Sequence, residues 1–195
     1  MNANKTGLTN FISYCSIDKN GVVVDDKKVF EGTDTDVLTY FDNILKHFEI
    51  DCPKFAKMDA MTKLGFLTAE ILLNNIPEHV ENLSPYECGI LLSNSSSSLN
   101  TDFNYWDTFK RIPSPSTFVY TLPNVVNAEI CIRHGFKGEN MFFTADSFAS
   151  SGVVEYANAL FADGSLKFCL CGWVELLKDE YNAVIFAAKT GFVRE

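Results

Sequence analysis

The run LKFCLCGWVEL, residues 166–176, restricts the fold more than any other stretch of this chain. Successive side chains of a strand point to opposite faces, so a strand with one wet face alternates apolar and polar residues. Here both alternating sets are apolar, with Phe168, Leu170 and Val174 on one side and Cys169, Cys171 and Trp173 on the other. Such a strand has to be covered on both sides, and helices on each face of a sheet supply that cover.

The remaining segments provide the helices and further strands. LTNFISY (8–14) is short, apolar and aromatic, and reads as a first strand. GTDTD (32–36) offers Thr and Asp caps ahead of Val37, Phe41, Ile44, Leu45 and Phe48, which recur at helical spacing. Asp59 caps a second helical segment with Ala60, Leu64, Leu67 and Ile71 on one face, closed by Pro77. CGILLSN (88–94) reads as a buried strand, Ser95–Ser98 as a polar turn, and DFNYWDTFK as a short helix. After Pro113 and Pro115, FVYTLPNVVNAEICIRHGF sets Val119, Leu122, Val126, Ile130 and Ile132 near helical spacing, with Pro123 a bend or a late start.

NMFFTA reads as a strand. SSGVVEYANALFADG is a helix with Ser150 or Ser151 as cap, Val153, Ala157 and Leu160 facing inward and Gly164 as its stop. YNAVIFAAKT is a last strand, joined to its predecessor by LKDE. The expected class is α/β: one domain over 1–195, layered βαβαβαββ, with a mixed, mainly parallel five-stranded sheet, an antiparallel edge and helices on both faces.

Charge and composition remove several function classes. With 25 acidic against 16 basic residues the net charge is −9, which opposes nucleic acid and anionic membrane surfaces as partners. Arg111, Arg133 and Lys137 are too scattered in sequence to form a basic patch. No run reaches membrane-spanning length, MNANKTGLTNF lacks the apolar stretch of a secretory signal, and most of the six cysteines sit in apolar runs. A reducing cytoplasm is the expected setting. Cys169 and Cys171 read as core thiols sharing one strand face, ahead of a redox or metal pair. No cofactor and no metal are expected, since there is neither a Gly-rich phosphate loop nor a ligand cluster. His47, His79 and His134 read as surface or capping residues, and Asp59, Asp102 and Asp107 as caps or solvated carboxylates.

Three blocks carry a family resemblance. SNSSSSLNTDFNYW, FVYTLPNVVNAEI with its Pro-Asn helix start, and residues 138–175 together resemble the N-terminal half of a β-ketoacyl (acyl carrier protein) synthase, of the thiolase-like group. The resemblance implies a nucleophilic Cys at the N-terminus of the helix after NMFFTA, where the helix dipole and backbone N–H groups favour thiolate. It also implies acyl transfer from a carrier protein, with two histidines supplied by a C-terminal half.

FTADSFASSG departs from that pattern. Alignment on Thr144-Ala145 puts the nucleophile position at Asp146, and alignment on Ser151-Gly152 puts it at Ala149. Counting from Gly138 and back from Gly164 favours Ser147. None is Cys, and the chain ends where the family's C-terminal half would begin. A serine hydroxyl needs a positioned base, and FASSG is not a G-x-S-x-G elbow. Pro123, Asn124 and Gly152 are expected to support the turn.

Three functions follow as expectations. One is a non-catalytic accessory subunit of fatty-acid or polyketide-type biosynthesis, pairing with itself or with a complete β-ketoacyl synthase through strand 140–144, with acyl carrier protein as a further partner. Another is an acyltransferase completed by a partner chain, with Ser147 at the nucleophile position. The third is an acyl-chain-binding module around Phe142, Phe143 and Phe148.

Overall fold

A computed structural model describes residues 11–32, 36–109 and 112–190. Residues 8–10 of the expected first strand, Thr33, Asp34 and Thr35 of the cap region, and Arg111 lie outside the described residues. The strands are β1 (Phe11–Asp18), β2 (Gly21–Val24), β3 (Lys27–Glu31), β4 (Cys88–Asn94), β5 (Asn140–Thr144), β6 (Phe168–Leu177) and β7 (Glu180–Lys189). The helices are α1 (Val37–His47), α2 (Ala60–Asn75), α3 (Leu99–Thr108), α4 (Pro115–Val119), α5 (Val125–His134) and α6 (Val153–Ala162).

The strands form one sheet in the order β3-β2-β1-β7-β6-β4-β5. β4 pairs in parallel with both β5 and β6, while β7 is antiparallel to β6 and to β1. Of the five anticipated strands, β1, β4, β5 and β6 therefore share one direction, as expected of the thiolase-like half. Two features differ from expectation. The antiparallel strand is interior, because β7 is apolar on both faces and both its edges find partners, β6 through the turn at Lys178 (φ 58°) and β1 beyond. The sheet also has seven strands: GVVV and KKVFE form a hairpin on β1, turned at Asp25 (φ 47°) and Asp26 (φ 65°), the positive-φ pair that a tight hairpin requires.

Helices cover both faces. α1, α2 and α5 pack on one side with Ile17, Ile90, Leu170, Val174 and Ile185, and α6 packs on the other with Tyr14, Leu91, Cys169, Cys171 and Phe186. β6 supplies side chains to both layers, as its double apolar pattern requires. Asp36 caps α1 by accepting from the Thr39 N–H at 3.1 Å, and Asp59 caps α2 by accepting from Thr62 at 2.9 Å. α2 differs from a one-faced helix: Met61 through Leu73 are all buried, since the sheet, α1 and α5 surround it. The stretch 115–134 is two helices, not one, split at Pro123, so Val119, Leu122 and Ile132 point to solvent while Val126 and Ile130 enter the core.

Cys169 and Cys171 are buried side by side, sulfur to sulfur 3.6 Å, and no disulfide joins them. Burial pushes the Cys169 thiol well above its ordinary range, and the Cys88 thiol up to about 11. Reaction needs the thiolate, so brief iodoacetamide treatment at pH 8 should label half-buried Cys52 and spare Cys15, Cys88, Cys169 and Cys171. Peptide mass mapping should show those four modified only after denaturant is added.

Candidate functional site

The segment that follows β5 is held at the end of the sheet by the Ala145 N–H, which donates to the Asn94 carbonyl at 3.0 Å. Asn94 itself anchors the neighbouring serine turn: its Oδ1 accepts from the Ser97 N–H at 2.8 Å and its Nδ2 donates to the Ser97 carbonyl at 2.9 Å. Glu175, near the end of β6, accepts from the Ser95 N–H at 2.7 Å and from the Ser95 and Ser96 hydroxyls. These serines shape a turn, as expected, and Glu175 is the residue around which they do so.

Ser147 is exposed and starts a single 3-10 turn over Phe148–Ser150. Its N–H donates to Ser150 Oγ at 3.2 Å, the two hydroxyls lie 3.0 Å apart, and Ser150 Oγ donates to the Ser147 carbonyl at 3.1 Å. Asp146 and Ala149, the other two alignment positions, are exposed in the same turn. α6 begins only at Val153, so none of the three sits in its first turn. The N-cap is Gly152, in the left-handed region at φ 75°. That differs from a serine cap, although Ser151 contributes: its Oγ accepts from the Val153 N–H at 3.3 Å and donates to the Phe148 carbonyl at 2.7 Å. A Cβ on Gly152 would meet nothing within 4 Å. Its need for glycine is therefore conformational.

Activation of Ser147 would need a base within hydrogen-bond reach. The three histidines are engaged elsewhere. His134 lies 2.6 Å from Glu70 Oε1, His79 Nδ1 is 3.2 Å from Lys189 Nζ, and the His47 ring meets Phe30 and Phe48 edge-on at 4.9 Å. His134, expected as a surface or capping residue, is partly exposed in the last turn of α5 and leans on the buried Glu70 carboxylate. Asp102 accepts from Ser98 Oγ at 3.2 Å, and Asp59 from Thr62 and Thr101. Among the described residues no group of three His, Cys, Asp or Glu side chains is arranged to hold a metal, and no helix is long and apolar enough to cross a membrane.

Pro123 separates α4 from α5, and Asn124 occupies the N-cap position of α5 without a side-chain capping bond. The direct tie from this helix to β5 is one turn further on. Asn127, fully buried, donates from Nδ2 to the Met141 carbonyl at 2.9 Å and to Asn140 Oδ1 at 3.0 Å. Sequence reasoning missed Asn127; the only signal was a second polar residue one helical turn after Asn124, on the same side as Val126 and Ile130. β5 is an edge strand, with Met141 40% exposed. Phe142 packs with the α2 side of the sheet, whereas Phe143 and Phe148 pack with the α6 side. The sheet therefore separates the three phenylalanines, and they do not line one common pocket.

The sequence profile of the β-ketoacyl synthase N-terminal domain matches residues 13–194. No curated protein sequence gives a significant match. Among solved structures, the chain is similar to the ishigamide ketosynthase/chain length factor, with a TM-score of 0.71 at 13% identity, covering 95% of this chain and 63% of that one. It is also similar to a ketosynthase in complex with its chain length factor from Xenorhabdus doucetiae (TM-score 0.60, 10% identity, 94% of this chain and 80% of that one). A β-ketoacyl synthase from Burkholderia phymatum STM815 gives a TM-score of 0.62 at 12% identity, over 92% of this chain and 58% of that one. The chain thus spans less than two thirds of the first and third of these proteins, and the likeness at such identities is one of fold.

Proposed function

This chain belongs to the family of β-ketoacyl synthase N-terminal domains, and from that premise we propose that it is a non-catalytic partner subunit in fatty-acid or polyketide-type biosynthesis. The observation that carries the reading is the turn between β5 and α6. It holds no cysteine, its Ser147 hydroxyl is committed to Ser150, and every histidine is engaged elsewhere. The exposed Asp146 beside Ser147 adds negative charge where an anionic nucleophile or oxyanion would form. The fold around the turn is retained.

A docking role is supported by β5. Its outer edge is free of a strand partner among the described residues, and a bare edge is a template for pairing with another chain. Two of the similar structures are named for a ketosynthase together with a chain length factor, which makes a synthase subunit, or a second copy of this chain, the partner to test.

Light scattering on the purified protein should give a dimer, or a co-expressed synthase should copurify. Met141→Lys, which places a charge on the edge strand, should weaken that association by at least about tenfold. A strict monomer that retains no synthase would sink the docking role. Intact-mass analysis after incubation with acyl thioesters should show no adduct. An adduct abolished by Ser147→Ala would instead establish the second reading, an acyltransferase completed by other residues.

A further inference from the structure

α3 carries its apolar stripe on the side turned away from the protein. Thr101, Tyr105 and Thr108 recur at helical spacing on the inner side, where Thr101 is buried and the other two are half-buried. Leu99, Phe103 and Trp106 recur at the same spacing on the outer side, and Trp106 is 69% exposed. The Phe109 ring stands 5.9 Å from Trp106 and 5.1 Å from Tyr105, and Tyr105 stands 5.5 Å from Phe118 of α4. Val119 and Leu122, next along the chain, are exposed as well.

The size of this surface says that it is covered. A buried aromatic side chain covers about 150–250 Å2, so these half-exposed groups leave on the order of 700 Å2 of apolar surface in water. The largest apolar patch of a typical monomer is about 300–600 Å2. Each partner in a standard interface contributes about 800 Å2. The patch is large for a monomer and close to what a dimer needs.

Charge selects the occupant. The net charge of −9 opposes self-association in most orientations, but one orientation offsets it around α3. The Lys178 N–H donates to Asn100 Oδ1 at 2.9 Å, which sets the exposed Lys178 beside the first turn of α3. Exposed Asp107 follows Asn100 by two helical turns, on the same flank of the helix and in its last turn. A second copy crossing antiparallel, about a two-fold axis over the middle of α3, sets Lys178 of each copy against Asp107 of the other. The same crossing lays the outer stripes on one another and each helix N-terminus against a C-terminus.

We propose that the α3–α4 face binds a second copy of this chain, with α3 antiparallel to its mate and the aromatic centre flanked by two Lys178–Asp107 pairs. The inference does not rest on the role proposed for the β5 edge, and each surface has its own variant.

Sedimentation equilibrium across a concentration series tests it. The protein should be a dimer with a Kd of about 1 μM or tighter, the weak end for an interface of this size. Trp106→Asp should weaken the dimer at least about thirtyfold, a hot-spot loss, with unchanged circular dichroism because the side chain lies at the surface. Asp107→Lys and Lys178→Asp should each weaken it about threefold or more, and their combination should restore it, since the pair reforms with its signs exchanged. Lys178 has φ 58°, a conformation that Asp tolerates. A monomer throughout the series overturns the proposal, as does open-ended aggregation in place of a dimer. So does a dimer that Trp106→Asp leaves intact. If Met141→Lys dissolves that dimer, β5 is the face in use and the docking role stands without this inference. A double variant no tighter than the weaker of its two parents overturns the antiparallel arrangement.

Discussion

Gly65→Leu should destabilise the protein by about 3 kcal/mol or more, at the upper end of overpacking effects. A Cβ at Gly65 would stand 2.4 Å from Val126 Cγ2 and 3.4 Å from Val174 Cγ1. α2 crosses α5 at this point, and Val126 is fully buried, so neither helix has room to retreat. Replacing a mid-helix glycine ordinarily gains up to about 1 kcal/mol of helix propensity, and the clash outweighs it. For a chain of this length the loss corresponds to a Tm lower by roughly 6–12 °C. Gly65→Ala combined with Val126→Ala supplies the internal check. The space vacated by the valine should accept the new methyl, so the double variant should exceed the sum of the single effects in stability by about 1 kcal/mol. If urea midpoints show the two changes to be simply additive, the contact does not govern the packing of these helices.

Glu70→Ala should cost about 2–3 kcal/mol. Glu70 is 2% exposed, on α2, and accepts from Arg133 Nε at 3.2 Å, with His134 Nε2 2.6 Å away. Breaking a fully buried pair costs about 3–5 kcal/mol. The Arg133 side chain is 40% exposed and can be rehydrated, which brings the expected figure down.

The same carboxylate makes stability depend on pH. Burial pushes the Glu70 pKa up, but the hydrogen bonds and charges of His134 and Arg133 outweigh it and leave the group below its ordinary 4.5. A depressed folded pKa contributes stability in full above the unfolded value and loses it as pH falls through the folded one. The parent should therefore lose stability below about pH 4.5. Glu70→Gln, without that carboxylate, should show a shallower decline. Urea midpoints at pH 7 and pH 3 give the comparison, and equal declines would remove Glu70 from the acid sensitivity.

Several elements were legible from residue order. CGILLSN occupies β4 with the anticipated bounds, and both caps, Asp36 and Asp59, accept from the N–H three residues on. Here the signal is local, because a cap or a continuous apolar run carries its own structural reason. The β2–β3 hairpin was missed because KKVFE has mostly exposed side chains, leaving no apolar alternation to read. The split at Pro123 was ambiguous for a related reason: helical spacing continues across it, although Val119 and Leu122 never reach the core.

At the candidate site, the sequence located the β5–α6 turn and its lack of cysteine. It did not locate Asn127, whose donation to the Met141 carbonyl exists only once α5 is laid beside β5. The engagement of His134 with Glu70, 64 positions apart in the chain, was likewise invisible.

By itself, then, the sequence determined a sheet covered on both faces, since a strand apolar on both sides has no other stable environment. It also determined the chemistry of the turn, because side-chain identity decides whether a thiolate can form there. Tertiary structure alone decided that β7 lies inside the sheet and β5 at its edge. It also brought Arg133 and His134 against the buried Glu70 carboxylate. Strand order and the pairing of distant charges depend on which surfaces meet after folding, and no local spacing encodes that.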